Sequence, residues 1–403
     1  MNALPSQDHW IEKSELDGIL LTDPEIIEFN RELIKQNESL NDLYHLPDEI
    51  AANDIHRLLS AYDIVKIQNY HSLDHHHFDA EFCTWIDKQL NLPLGDSSKE
   101  IRYGFILERA NLRSFPTEQI AMNDDVDQEI DRFQETALYP LEPIAIYHES
   151  LDGKWKFVQS YNYSGWVRND QLFEMDRNTF IECFEPDDFY YVTSDHAIIT
   201  LTIPNYSTRK ILMPMGSRIP KYLVNNQTQV CRVEFEMNQI EIQEKRVEYT
   251  RANILKLALQ RFGDSYDWGG KRGHRDCSSL VMDIFRCFGI NLPRNANQQS
   301  DLKGIVKYDC LHASVAEKLE NMKPGNLIFL PGHVMIYAGT FRDVPYIIHA
   351  VKEYYILNNG SIERSSQTGV QITPLGIFRK NWESYLTSLH TICEILPMVK
   401  INK

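Results

Sequence analysis

Tyr266-Asp267-Trp268-Gly269-Gly270, followed by Asp276-Cys277-Ser278-Ser279-Leu280-Val281, is the stretch on which the reading of this chain turns. A glycine-rich loop runs into a helix there, and a cysteine stands at the junction. Apolar residues recur at Leu280, Val281, Ile284, Phe285 and Phe288, a helical stripe that Gly289 stops. Asp276 is placed to cap this helix, which puts Cys277 in its first turn. The N–H groups and positive dipole end at that turn favour a thiolate and can stabilise an oxyanion. A thiol nucleophile needs an imidazole partner, and the imidazole needs an orienting group.

Two histidines downstream fill those places. Leu327-Ile328-Phe329-Leu330 and Val334-Met335-Ile336-Tyr337 read as adjacent strands joined through Pro331-Gly332, with His333 opening the second. His349 ends a third apolar run, Tyr346-Ile347-Ile348. One helix N-terminus and two strands then converge on one point, as a papain-like site requires.

The pieces Tyr-x-Trp-Gly-Gly, Asp-Cys-Ser-Ser-Leu-Val, Leu292-Pro293-Arg294, Pro324-Gly325-Asn326-Leu327-Ile328-Phe329, Gly332-His333-Val334 and Ile348-His349-Ala350 occur in the order and spacing of the NlpC/P60 cell-wall cysteine peptidases, which residues 246–403 resemble. The resemblance implies Cys277 as nucleophile, His333 as base and His349 as its orienter. Tyr266 either packs the loop or lines the site and donates to the oxyanion.

Upstream, residues 1–97 read as helical. Thr22-Asp23-Pro24-Glu25 is a helix start with Ile26, Phe29 and Leu33 on one face, and 50–59 and 78–90 are further helices. His75-His76-His77 reads as an exposed run rather than a metal site, because no second ligand pair stands at binding spacing. Residues 98–170 switch to a strand period: Tyr103, Phe105 and Leu107, then Ile144-Ala145-Ile146-Tyr147, Trp155-Lys156-Phe157-Val158 and Gly165-Trp166-Val167. These short strands predict a small barrel similar to bacterial SH3-like modules. Residues 171–245 read as a second, less typical barrel, with strands at 198–203 and 229–235. The expected fold is therefore α+β and multidomain: a helical N-terminal segment, two SH3-like β-barrels and a C-terminal papain-like NlpC/P60 domain.

That layout resembles the murein-peptide endopeptidase branch of the family. The resemblance implies cleavage of the γ-D-glutamyl–diamino acid bond in murein stem peptides that carry a free N-terminal L-Ala. It carries the amine site onto Asp276, Tyr163 and Glu142, with a polar contact from Ser278. Asp276 has capping as its other reading, and Glu142 follows Leu141 where the branch usually has glycine. A second departure is Asn295-Ala296, where the branch often has Asp-Ser after Pro-Arg. Lys271-Arg272-Gly273-His274-Arg275 is a basic insertion that either attracts the carboxylates of D-glutamate or diaminopimelate or, the preferred reading, is a solvated loop. Gly269-Gly270-Lys271 is not a phosphate loop, since Ser265 and Arg272 occupy positions that such a loop gives to glycine and to Ser or Thr.

The whole chain is compatible with this. It has 403 residues, enough for two to four domains, and 43% hydrophobic with 24% charged residues is ordinary globular composition. A net charge of -16 argues against nucleic-acid binding. No apolar run is long enough to span a membrane. Seven cysteines without paired spacing suit reduced thiols. With no basic-then-apolar leader at residues 1–8, a cytoplasmic location is expected, with a periplasmic or secreted form as the alternative. No metal or organic cofactor is expected. The other functional readings are a non-catalytic wall-peptide-binding protein and a secreted wall-degrading effector or amidase of the same fold.

Overall fold

The structure is a computed structural model that describes residues 5–12, 14–93, 95, 97–123, 130–184, 188–225, 231–235, 240–358 and 360–398. The first two residues of the expected strand 229–235 and residues 1–4 lie outside the described residues.

Helix α1 (Asp23–Gln36) starts as its sequence dictates. Thr22 and Glu25 form a capping box, and Pro24 sits in the first turn where a missing N–H costs nothing. Its buried stripe of Ile26, Phe29 and Leu33 packs into the C-terminal core. Asn30 on the same helix donates to Gly289 O at 2.8 Å and accepts from the Asn291 N–H at 2.9 Å. Helices α2 (Ala52–Leu59) and α3 (Ala80–Leu90) instead bury Ile55, Leu59, Ile86 and Leu90 in the core around the first sheet. The N-terminal segment is thus divided between two cores. Both helices begin slightly later than expected: Ile50 belongs to strand Glu49–Ala51, paired with Ser98–Glu100, and α3 is capped by Asp79, one residue after Phe78.

Seven antiparallel strands follow: β1 (Arg102–Ile106), β2 (Ala110–Arg113), β3 (Gln134–Leu138), β4 (Pro143–Glu149), β5 (Trp155–Gln159), β6 (Ser164–Arg168) and β7 (Leu172–Met175). Their order is β7-β1-β4-β5-β6-β2-β3. Alternation along each strand feeds two cores. Ile144, Ile146, Val158 and Val167 point to one, while Ala145, Tyr147, Phe157 and Trp166 pack with α2 and α3. Strand β7, which the sequence reading put at the start of the second barrel, pairs with β1 and belongs to the first sheet.

The next unit comprises two three-stranded sheets. One contains β8 (Phe189–Val192), β11 (Arg218–Pro220) and β13 (Ile242–Gln243); the other contains β9 (His196–Ile203), β10 (Ser207–Pro214) and β12 (Arg232–Glu234). Val192, Ile199, Leu201, Met213 and Ile219 bury into a common core.

The C-terminal unit has helices α4 (Arg251–Leu259) and α5 (Cys277–Cys287). Its antiparallel sheet runs β14-β19-β15-β16-β17-β18, where β14 is Ile305–Asp309, β15 Leu327–Leu330, β16 His333–Phe341, β17 Val344–Val351, β18 Gly369–Pro374 and β19 Thr391–Pro397. Helix α5 packs on β16 and β17. Leu280, Val281, Ile284 and Phe285 meet Val334, Ile336, Ile348 and Ala350, whereas Met335, Tyr337 and Ile347 fill a second cluster with Tyr385. Among the described residues no helix is long and apolar enough to cross a membrane.

Candidate active site

Cys277 is the first residue of α5, as its sequence position requires. Asp276 caps the helix: its Oδ1 accepts from the Ser279 N–H at 2.9 Å, and its own N–H donates to Ser279 Oγ at 2.9 Å. Cys277 is only 9% exposed. Burial, seconded by the adjacent Asp276 carboxylate, pushes its thiol up to about 12, against the pull of the Val334 N–H and Arg294. Burial thus opposes the helix N-terminus, which by itself favours a thiolate.

His333 opens β16, opposite Leu330 across a turn at Gly332, whose φ of 75° suits glycine. Its neighbour Val334 offers the N–H that faces Cys277. His333 Nε2 lies 3.0 Å from His349 Nδ1, and His349 Nε2 lies 3.1 Å from Thr373 Oγ1. His349 sits on β17 opposite Gln371, so strand register brings Thr373 of β18 to the second imidazole. Burial, with Arg379 adding to it, pushes His333 down to about 4, against the opposing Asp276. Burial first, and His333 second, push His349 well below its ordinary value. Tyr385 crosses both imidazoles edge-on with its centroid 5.9 Å from each, fixing the ring planes.

Asp276 is fully engaged. Arg294 reaches it through two bonds of 2.5 and 3.1 Å, the Gly269 N–H donates to it at 3.1 Å, and Ser278 Oγ at 3.2 Å. Burial alone raises a carboxyl, but Arg294 and Ser279 hold this one below the ordinary carboxylate range. Arg294 also donates to Ser278 Oγ at 2.9 Å and, from the barrel, to Thr136 Oγ1 at 2.6 Å. Asp276 thus takes the capping role of its two readings, and Ser278 completes the same network.

The glycine-rich loop is docked on the barrel. Gly269 has φ 60°, and a Cβ there would meet Gln134 Cγ at 2.7 Å. Gln134 donates to Gly269 O at 3.1 Å and Arg109 to Gly270 O at 2.8 Å. Tyr266 is half-buried beside this loop and packs against the C-terminal core. The basic run that follows is not a solvated loop. Lys271 reaches Asp131 of the barrel at 2.5 Å, and buried Arg275 pairs with Asp283 at 2.6 Å. Arg272, Gly273 and His274 alone are exposed.

On the barrel wall, Tyr163 donates to Glu135 at 2.5 Å, and Ser114 Oγ donates to the other oxygen of Glu135 at 2.5 Å. Burial first, and Glu135 second, raise the Tyr163 hydroxyl above its ordinary value; Asn295 and Arg294 act in the opposite sense. Tyr163 and Glu135 therefore adjoin the Arg294–Asp276 network. Glu142 does not. Its carboxylate accepts from the Tyr139 N–H at 3.0 Å and faces Arg286 at 3.3 Å, on the side of the barrel away from this network. The glutamate that the structure sets beside Tyr163 is Glu135, not the expected Glu142. Sequence reading missed it because the two glutamates differ in strand register, not in local motif. Thr373 was missed because it too depends on strand register, and Tyr385 because it comes from a short helix, Tyr385–Ser388, remote from both histidines in sequence, whereas Arg294 stood in a quoted motif without a role. Asn295 caps the helix Ala296–Asp301. Among the described residues no group of His, Cys, Asp and Glu could hold a metal.

A cysteine at a helix start, met by the Val334 N–H beside His333, with His349 3.0 Å beyond that imidazole, coincides with a match to the NlpC/P60 family over residues 263–388. Residues 263–388 are an NlpC/P60 domain. An SH3 domain of the SH3b1 type matches residues 122–168 of the first barrel. The chain is 27% identical over 213 residues to dipeptidyl-peptidase 6 of Lysinibacillus sphaericus, covering 47% of this chain and 72% of the relative. It is 30% identical over 149 residues to the bifunctional muramidase/DL-endopeptidase CwlT of Bacillus subtilis, covering 34% of this chain and 36% of that relative. An NlpC/P60 endopeptidase from Photobacterium damselae subsp. piscicida shares the fold, with TM-score 0.76 at 19% identity, over 98% of this chain and 97% of its own. The NlpC/P60 domain with its SH3b companion is that of a cysteine peptidase family acting on peptidoglycan.

Proposed function

We propose that this protein hydrolyses the γ-D-glutamyl–diamino acid bond of murein stem peptides whose N-terminal L-Ala is unblocked. The observation that carries this is the Glu135–Tyr163 pair, which the barrel sets beside the Arg294–Asp276 network at the nucleophile's helix. A carboxylate there suits an ammonium group, and an amine held at a fixed place sets which carbonyl meets Cys277. Because Asp276 is committed to Arg294, the amine role falls to Glu135 and Tyr163.

In this mechanism Cys277 Sγ attacks the γ-carbonyl of D-glutamate while His333 takes the thiol proton. His349 Nδ1 accepts from His333 Nε2–H while its own Nε2–H donates to Thr373 Oγ1, so the charge formed on His333 is steadied as it appears. N–H groups at the start of α5, with Tyr266 beside them, face the developing oxyanion. His333 then protonates the leaving amine, and water, deprotonated by His333, releases the acyl group. Released peptides fit such a site, because the alanine amine of intact murein is acylated; a cytoplasmic working place follows from that preference.

Mass spectrometry of L-Ala-γ-D-Glu-meso-diaminopimelate, beside its N-acetylated copy, tests the reading. Wild type releases L-Ala-D-Glu from the free-amine peptide; Cys277→Ala releases nothing, and Glu135→Gln loses most of the discrimination between the two. Equal cleavage of both peptides by wild type would remove the amine site, and turnover by Cys277→Ala would remove the nucleophile.

A further inference from the structure

Away from Cys277, a cavity of about 440 Å³ opens where helix α1, the barrel at Pro140–Pro143, the second β unit and the C-terminal end of α5 meet. The volume is that of a small-molecule site. Its polar lining is unbalanced. Arg218 on β11 lines it with Nε and Nη2 unpartnered, and makes no ion pair among the described residues. Arg286 on α5 lines it too; it is 6% exposed, and its Nε is unpartnered. Two acids act on Arg286: Glu142, at 3.3 Å and shared with the Tyr139 N–H, and Asp283, which is itself paired with Arg275 at 2.6 Å. Tyr161 Oη and Asn291 Oδ1, on the same wall, are also unpartnered.

Charge counting then points to the ligand. The lining residues Arg31 and Lys35 are paired locally with Glu28 and Glu32, and Asp42 lies at the solvent-exposed rim with His45. Two guanidiniums against one carboxylate leave one positive charge. A guanidinium does not deprotonate to escape burial. Burial pushes Arg218 down from its ordinary value; Tyr191 opposes this, and neighbouring Arg286 pushes it further down. A single bound negative charge would settle all three effects. The rest of the lining is apolar, with Ile27, Ile34, Leu43, Leu141 and Phe189.

We propose that this cavity is a second ligand site, which takes a small organic monocarboxylate. Its carboxylate lies between Arg218 and Arg286, and its hydrocarbon body lies against Ile34 and Leu141. A dianion such as phosphate leaves excess negative charge and wastes the apolar wall.

Isothermal titration with hexanoate, and separately with inorganic phosphate, tests this on the full chain. Hexanoate binds saturably at one site in both wild type and Cys277→Ala, so the catalytic groove is not the site. In Arg218→Met, loss of the charge-assisted contacts weakens hexanoate by about tenfold or more. Phosphate binds more weakly than hexanoate to wild type. Arg218→Met without ligand is at least as stable as wild type to urea, because it removes a buried uncompensated charge. Ile34→Trp fills the cavity from α1 and abolishes binding even where the arginine variant folds poorly. No saturable hexanoate binding, unchanged binding in both variants, or tighter binding of phosphate would each overturn the proposal.

Discussion

Arg294→Met is expected to cost more than any other single change near the nucleophile. The arginine makes two bonds to Asp276, one to Ser278 and one to Thr136, all from a buried position. Removing it leaves Asp276 buried with two backbone N–H donors and Ser278, but no counter-charge. Breaking a buried ion pair in this way costs about 3–5 kcal/mol. The sign with pH follows from Asp276, whose folded carboxyl lies below its ordinary 3.8. Its stabilisation is complete above that value and is lost as pH falls through the folded one. The deficit of the variant is therefore largest near neutral pH and shrinks in acid. Urea unfolding of wild type, Arg294→Met, Asp276→Asn and the double variant measures it. The double variant should lose less than the sum of the single losses, because the neutral amide that Asp276→Asn introduces no longer needs the guanidinium. A loss below about 1 kcal/mol for Arg294→Met, or strictly additive losses, would refute the coupling.

Three further outcomes are expected. The acid limb of kcat/KM should fall near the pKa of about 4 for His333 rather than near 6.5, since below it the imidazole is already protonated; the same protein should show no thiolate absorbance at neutral pH, given a thiol at about 12. Thr373→Val should lower kcat by about 1–2 powers of ten with KM little changed, as it removes the partner of His349 Nε2 without touching the groove; steady-state kinetics checks this, and an unchanged kcat argues against the relay. Gly269→Ala should destabilise the docked loop by about 1–3 kcal/mol, from a φ of 60° and a 2.7 Å approach to Gln134; thermal unfolding reads it, and a neutral change means the loop is not fixed by this contact.

The catalytic helix and the strands of both histidines were legible because each obeys a local rule. An acidic cap, an apolar stripe and a terminating glycine mark α5, and apolar runs flank His333 and His349. The first barrel was legible from strand alternation, although both faces of its strands are buried, one in its own core and one against α2 and α3. What escaped depends on register between distant strands. Glu135 and Glu142 are equally plain in the sequence, but only pairing across β2 and β3 sets Glu135 beside Ser114 and Tyr163. Thr373 reaches His349 through the β17–β18 register alone. The burial of Cys277 was not legible for a different reason: local dipole arguments carry no information about how deeply a side chain lies.

The split of the N-terminal segment has a mechanical consequence. Helix α1 is bedded in the same core as the nucleophile's helix, while α2 and α3 are bedded against the SH3b sheet. One continuous strip of chain therefore runs across the seam between enzyme and barrel and is glued at both ends. Sliding the barrel outward would tear one end of that strip free. Under the proposed function, the wall that ends the groove is then a fixed stop, and the length of peptide that reaches from it to Cys277 is set when the chain folds, not when substrate arrives.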